Sequence, residues 1–138
     1  MTLQIGMQRT EDFVVADRLV TDVGGSIGVA VLSTPGMIAM MERAASLLAY
    51  EELPQGKATV GFEVCVRHVA GALEGARCTV SATLVENIDH RKLRFEVEVR
   101  ERPADHDDRD GGEGRTIGLG THERRVIDVA AHAGSAGH

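Results

Sequence analysis

The sequence predicts an α+β domain, an antiparallel sheet wrapped around one long buried helix. Two observations carry that expectation. The stretch "TPGMIAMMERAASLLAY", residues 34 to 50, is apolar around most of a helical circumference, and the residues beyond it read as strand. One helix and then a run of strands keeps helix and sheet segregated, so the apolar face of the sheet has the helix to cover. At 138 residues, the whole chain 1–138 fits one domain with enough length for a real core.

Taken in order, "TEDFVVADRLV" at residues 10 to 20 suits a strand with imperfect alternation, and "TDVGGSIG" a glycine-rich loop. Thr34 stands where an N-cap belongs, and Pro35 where the first helical residue does, since its missing N–H costs nothing there. From Met37 to Ala49 only Glu42, Arg43 and Ser46 are polar, the pattern of a helix buried on most sides. Pro54 and Gly56 in "ELPQGK" end it.

In "TVGFEVCVRH", two-residue alternation puts Val60, Phe62, Val64, Val66 and His68 on one face. "ARCTVSATLV" does the same with Ala76, Cys78, Val80, Ala82 and Leu84, and "KLRFEVEVR" with Leu93, Phe95, Val97 and Val99. The last strand, "TIGLGTHERRVIDV", carries Gly118 and Gly120, marks of a bend or a close backbone approach. The short links "AGALEG" and "ENIDHR" imply that the strands they join are antiparallel neighbours. Between the last two strands, "ERPADHDDRDGGEGR" (about 101–115) reads as a solvated loop, and the tail from about 130 to 138 as frayed. The "DHDD" run lacks EF-hand spacing, and no metal site is assigned. A single wrapped sheet leaves a strand edge open to a second copy. The pattern therefore points to the hotdog fold and to a dimer.

Composition narrows the function. With a net charge of -6 and no basic stripe interleaved with aromatics, nucleic acid is not an expected partner. No run of about 20 apolar residues offers a membrane span. "MTLQIGMQRTEDF" lacks the basic-then-apolar order of a secretory signal. Cys65 and Cys78 show no CxxC or zinc spacing and read as small hydrophobes in a reducing compartment. The expectation is a soluble cytoplasmic protein.

Four residues stand out chemically. Glu42 puts a carboxylate on an apolar helix, which is costly unless it is paired. It either reaches solvent or a local arginine, Arg43 or Arg67, or it is a carboxylate tuned by burial for acid–base work. Thr34 is either an ordinary cap or a hydroxyl at a helix N-terminus, where unpaired N–H groups suit a polarised carbonyl oxygen. His68 closes a strand on its apolar side, as a structural histidine or a catalyst. Arg124 in "GTHERRV" is a solvated strand residue or a ligand's anion receptor.

Together, "TPGMIAMMERAA", "TVGFEVCVRHVA" and "GLGTHERRVI" resemble the fluoroacetyl-CoA thioesterase family of hotdog proteins, from roughly Thr34 to Val129. The resemblance implies a dimer that hydrolyses an acyl-CoA thioester, with no cofactor apart from the coenzyme A of the substrate. It puts catalytic roles on Thr34, Glu42 and His68, and substrate contacts on Gly61 and Arg124. One departure is plain. The fluoroacetate-specific enzyme has a longer, phenylalanine-bearing lid before its helix, whereas "TDVGGSIGVAVLS" has no aromatic residue. The thioesterase chemistry is therefore implied more strongly than the fluorinated substrate.

Spacing adds a constraint. Thr34 and Glu42, eight residues apart on a helix, are separated by about 12 Å. Gly61 and His68, seven apart on a strand, are separated by about 23 Å. If both touch one acyl group they must come from different subunits, so a homodimer, or a dimer of dimers, with composite sites is expected. The alternatives are a non-catalytic acyl-CoA or small-ligand binding module on the same fold, and a purely structural dimer.

Overall fold

Helix α1, Thr34–Glu52, is the axis of the molecule, a computed structural model that describes residues 3–103 and 114–130. Around it run strands β1 (Gln8–Val14), β2 (Val20–Thr21), β3 (Val31–Leu32), β4 (Lys57–His68), β5 (Arg77–Ile88), β6 (Lys92–Glu101) and β7 (Arg115–Asp128). Met37, Met41, Ala44, Ala45, Leu48 and Ala49 are buried, a repeat of three and four residues that forms one face of α1. That face meets Val80, Leu84, Leu93, Phe95, Val97, Val99 and Ile117 in a single core. Each large side chain fully removed from water stabilises the fold by about 1.5–3 kcal/mol. No helix among the described residues is long and apolar enough to cross a membrane.

The start of α1 differs from the sequence expectation. Ser33 is the cap, its Oγ accepting from the Gly36 N–H at 2.9 Å, and Thr34 is the first helical residue. A cap must adopt an extended backbone, which Ser33 does, and this leaves the Thr34 hydroxyl free for other partners. The first strand is also shorter at its C-terminal end than residues 10 to 20. It stops at Val14, and Asp17–Leu19 form a 3-10 turn before β2.

Five strands form one antiparallel sheet in the order β1-β5-β6-β7-β4. "ENIDHR" does join neighbours: Asp89 and His90 are left-handed, and the Arg91 N–H closes the turn on the Ile88 carbonyl at 3.0 Å. "AGALEG" does not, because β4 lies at the far edge beside β7. The curled sheet brings the ends of non-adjacent strands together, and the link crosses the mouth of α1. There the Leu32 N–H reaches the Ala72 carbonyl at 2.8 Å, and the Glu74 N–H reaches the Ala30 carbonyl at 3.0 Å.

β4 contains a bulge between Gly61 and Glu63. One extra residue reverses side-chain parity. Gly61, Val64, Val66 and His68 face the helix, whereas Val60 and Phe62 fall on the outer face, with Phe62 beneath the Arg125 guanidinium. The single-face alternation expected from Val60 to His68 is thus broken at the bulge. The "DHDD" run and residues 131 to 138 lie outside the described residues.

Candidate active site

Two groups of polar side chains face α1, one near each end of the helix-facing stretch of β4. The first sits at the mouth of the helix. Thr34 Oγ1 and His68 Nδ1 share a hydrogen bond of 2.8 Å. Opposite His68 on β7 is Gly118, where any Cβ would collide with the Met37 sulfur, so the missing side chain lets helix and sheet close beside the pair. The other ring nitrogen, His68 Nε2, is buried and has no hydrogen-bond partner. A polar atom orphaned in this way is uncommon in a native fold and marks a place where a ligand or water belongs.

The second group is built around Arg124. Its Nε donates to Thr59 Oγ1 at 2.7 Å and its Nη2 to the Thr59 carbonyl at 3.0 Å. Its Nη1 donates to His122 Nε2 at 3.1 Å and lies 3.7 Å from Glu42 Oε2. Arg124 is only 7% exposed, and burial lowers its pKa while the Glu42 carboxylate opposes that shift. Glu42, by contrast, keeps 42% of its side chain exposed, so its desolvation is modest. Neither Arg43 nor Arg67 is its partner here; Arg43 pairs with Glu11 at 3.1 Å. Gly61 forms the floor: a Cβ there would come within 2.8 Å of Glu42 Oε2.

All five residues singled out in the sequence therefore line these two groups, but not one pocket. Thr34 meets His68, and Glu42 meets Gly61 and Arg124. Two clefts around Arg91 and Val126, of about 320 and about 640 Å³, include none of the five. Among the described residues, no three His, Cys, Asp or Glu side chains gather as a metal site. Sequence reasoning missed Ser33, Thr59 and His122. The signal for His122 was present in "THER", where alternation puts it on the same inward face as Arg124.

An antiparallel sheet curled around a single helix, with this polar lining, defines a hotdog protein. A hot-dog-like protein from Thermanaerovibrio acidaminovorans shares the fold with a TM-score of 0.78 over 96% of this chain and 89% of that one, at 19% identity. The chain belongs to the fluoroacetyl-CoA-specific thioesterase family, whose model matches residues 14–130. It is 34% identical over 99 residues to the fluoroacetyl-CoA thioesterase of Streptantibioticus cattleyicolor. That match spans 72% of this chain and 63% of the relative's length. A variant of the fluoroacetyl-CoA-specific thioesterase FlK, crystallised with fluoroacetate and CoA, superposes with a TM-score of 0.75 at 28% identity, covering 94% of this chain and 99% of that one.

Proposed function

We propose that the protein is a cytoplasmic, homodimeric acyl-CoA thioesterase that hydrolyses a small acyl-CoA to the free acid and CoA, using no cofactor beyond the CoA of its substrate. The observation that carries this reading is the Thr34–His68 hydrogen bond at the helix mouth, beside the orphaned His68 Nε2. A hydroxyl bonded to an imidazole can lose its proton as it approaches a carbonyl carbon, or can hold a water that does so. Glu42 supplies the second base. Its 3.7 Å separation from Arg124 is an ion pair too long to be a hydrogen bond, so its lone pairs stay available to water. In the net reaction, water adds to the thioester carbonyl carbon, the C–S bond breaks, and the departing thiolate takes a proton. Arg124 is turned inward, which suits holding Glu42 better than meeting the CoA phosphates. The unpaired Cys65 and Cys78 agree with a reducing compartment.

The separation of the two groups supports the homodimer. Among the described residues, β4 has a neighbour on one side only, and Val60, Phe62 and Val64 are exposed on it. Antiparallel pairing of β4 with a second copy can set Gly61 opposite the partner's His68. The bulge then absorbs Phe62, so that Glu63 meets the partner's Arg67, Val64 the partner's Val66, and Cys65 the partner's Cys65. Every one of these pairs has matching facing, which an antiparallel ladder requires. Each composite site takes Glu42 and Gly61 from one subunit and Thr34 and His68 from the other. A dimer of dimers would leave this pairing intact.

The reaction is tested with a panel of acyl-CoA thioesters, varied in chain length and polarity, on the wild type, Glu42→Gln and His68→Ala. Turnover by the wild type and its loss in both variants is expected. Hydrolysis at the buffer rate by all three would sink the enzyme reading, and binding without turnover would favour a ligand-binding module. The register is tested by mild oxidation or a short bifunctional maleimide. Cross-linked dimers that vanish in Cys65→Ser are expected, since burial pushes the Cys78 thiol up to about 11 and leaves it inert. Efficient cross-linking in Cys65→Ser would exclude this register.

A further inference from the structure

Among the residues given a role in the reaction, the hydrogen-bond partner of His122 is Arg124; the ring is 1% exposed and both its nitrogens are engaged. Nδ1 lies 2.8 Å from the Glu63 carbonyl oxygen, which can only accept, so Nδ1 carries the proton. Nε2 is therefore a bare lone pair, and it accepts from Arg124 Nη1 at 3.1 Å. Phe95 lies beside the ring, with centroids 6.4 Å apart at a tilt of 31°. The Glu63 carbonyl belongs to the first residue beyond the bulge, the same irregularity that brings Gly61 under Glu42.

The guanidinium of Arg124 is thus gripped at both ends. Thr59 on β4 takes Nε and Nη2, and His122 takes one hydrogen of Nη1. What remains of Nη1 is directed at Glu42 Oε2. Without the imidazole acceptor, the Nη1 end could swing, and the cation would no longer be fixed relative to the carboxylate above Gly61. A charged residue on the long, flexible side chain of an arginine holds position only when several donors are satisfied at once.

We propose that His122, as its neutral Nδ1–H tautomer, is a positioning residue that locks Arg124 and through it sets the Glu42 carboxylate over Gly61. The chain of contacts runs from the Glu63 carbonyl to His122, to Arg124, to Glu42, and it crosses from β4 through β7 to α1. This inference rests on the thioesterase reading for its kinetic consequence, but its structural content stands without any substrate.

The experiment compares three variants of the full dimer that differ in which half of the imidazole they replace. His122→Gln can offer an oxygen near the place of Nε2, His122→Asn can keep the donor to Glu63 but its oxygen, one bond from Cγ, does not reach the place of Nε2, and His122→Phe has neither donor nor acceptor. Two measurements are made: kcat and KM with acetyl-CoA and other short acyl-CoA probes, and solvent exchange of the Arg124 Nη1 hydrogens, the ones His122 holds, by NMR without substrate. In the wild type and His122→Gln, slow exchange is expected, with kcat within about threefold of each other. In His122→Asn and His122→Phe, exchange becomes fast and kcat falls about 10- to 100-fold while KM stays within about twofold, as a displaced catalytic group predicts. Unchanged Arg124 exchange in His122→Asn and His122→Phe overturns the proposal. So does an equal loss of kcat in His122→Gln and His122→Phe, which signals a packing role only. If the wild type turns over no acyl-CoA, the thioesterase reading falls and the exchange data alone decide the role of His122.

Discussion

The two halves of the proposed site are built on opposite principles. At the mouth of α1, Thr34 and His68 are joined by one hydrogen bond, Thr34 is exposed, and a ring nitrogen is left unmatched. Around Arg124, each polar contact reinforces another, and the arginine and His122 are buried. The first half has spare bonding capacity, which a reacting group needs. In the second, Arg124 and His122 use their capacity internally, which a fixed charge needs, and Glu42 beside them keeps its lone pairs for water. A fold that put both halves within one chain would have to bend β4 back on itself. In the proposed dimer, two antiparallel copies would achieve the same meeting with a straight edge.

The largest effect expected from this division is subunit complementation. His68→Ala and Glu42→Gln should each lose at least about 100-fold in kcat as homodimers. Each lesion disables a different half, so a mixed dimer contains one site with both lesions and one with neither. Unfolding and refolding an equal mixture should restore about a quarter of wild-type activity, since half of the dimers are mixed and each has one working site. Recovery no greater than the sum of the two parents would mean that the halves do not meet across a subunit boundary.

Gly61→Ala perturbs the join between floor and carboxylate. The added methyl would meet Glu42 Oε2 at 2.8 Å, and because that atom ends a flexible side chain, it is the carboxylate that moves. A loss of about tenfold in kcat with an unchanged melting temperature is expected, a displacement of well under 1 Å being enough. Wild-type kcat in this variant would show that the position of Glu42 above Gly61 is not critical.

Stability should separate the halves in the reverse sense. Arg124→Leu leaves the Thr59 carbonyl and His122 Nε2 without their donor, at a cost of about 2–4 kcal/mol in urea unfolding. Thr34→Ala should cost about 1 kcal/mol or less, because Ser33 and not Thr34 caps the helix. Equal losses in the two variants would contradict the contrast drawn between the halves.

How much of this the sequence made legible depends on what each element hides. β5 as far as Leu84, and β6, follow strict alternation because one face is buried there, and Cys78, Val80, Ala82, Leu84, Leu93, Phe95, Val97 and Val99 are indeed buried. β4 was misread up to its bulge, at Val60 and Phe62, since an extra residue at Phe62 is a backbone event with no hydropathy signature. The neighbour order was misread at "AGALEG" because curl, not link length, sets which strand ends meet. The five candidate residues were visible as types and spacings. Their pairing into two groups was not, since Arg124 and Glu42 are far apart in sequence and meet only through the register of β4 and β7. Thr34 looked like a cap because serine and threonine stand side by side, and only backbone dihedrals decide which of them is extended.

The smallest expected effect is a pH dependence that belongs to the buried half alone. Burial lowers the pKa of His122 from 6.5, and Arg124 lowers it further, against opposing contributions from the Glu63 carbonyl and Glu42. The unfolded chain therefore takes up a proton near pH 6.5 that the folded chain refuses. The stability tied to His122 is fully present above that pH and is lost as pH falls from about 6.5 toward the lower folded value. The slope cannot exceed about 1.4 kcal/mol per pH unit for one group. Glu123, whose hydrogen bond to Arg125 lowers its pKa below 4.5, acts only in more acid solution, so the two windows do not overlap above pH 5. Urea midpoints measured between pH 7.5 and 5.5 should fall more steeply for the wild type than for His122→Gln, which has no titrating group there. Parallel slopes would mean that His122 is free to take its second proton in the fold, and that its nitrogen is not committed to Arg124.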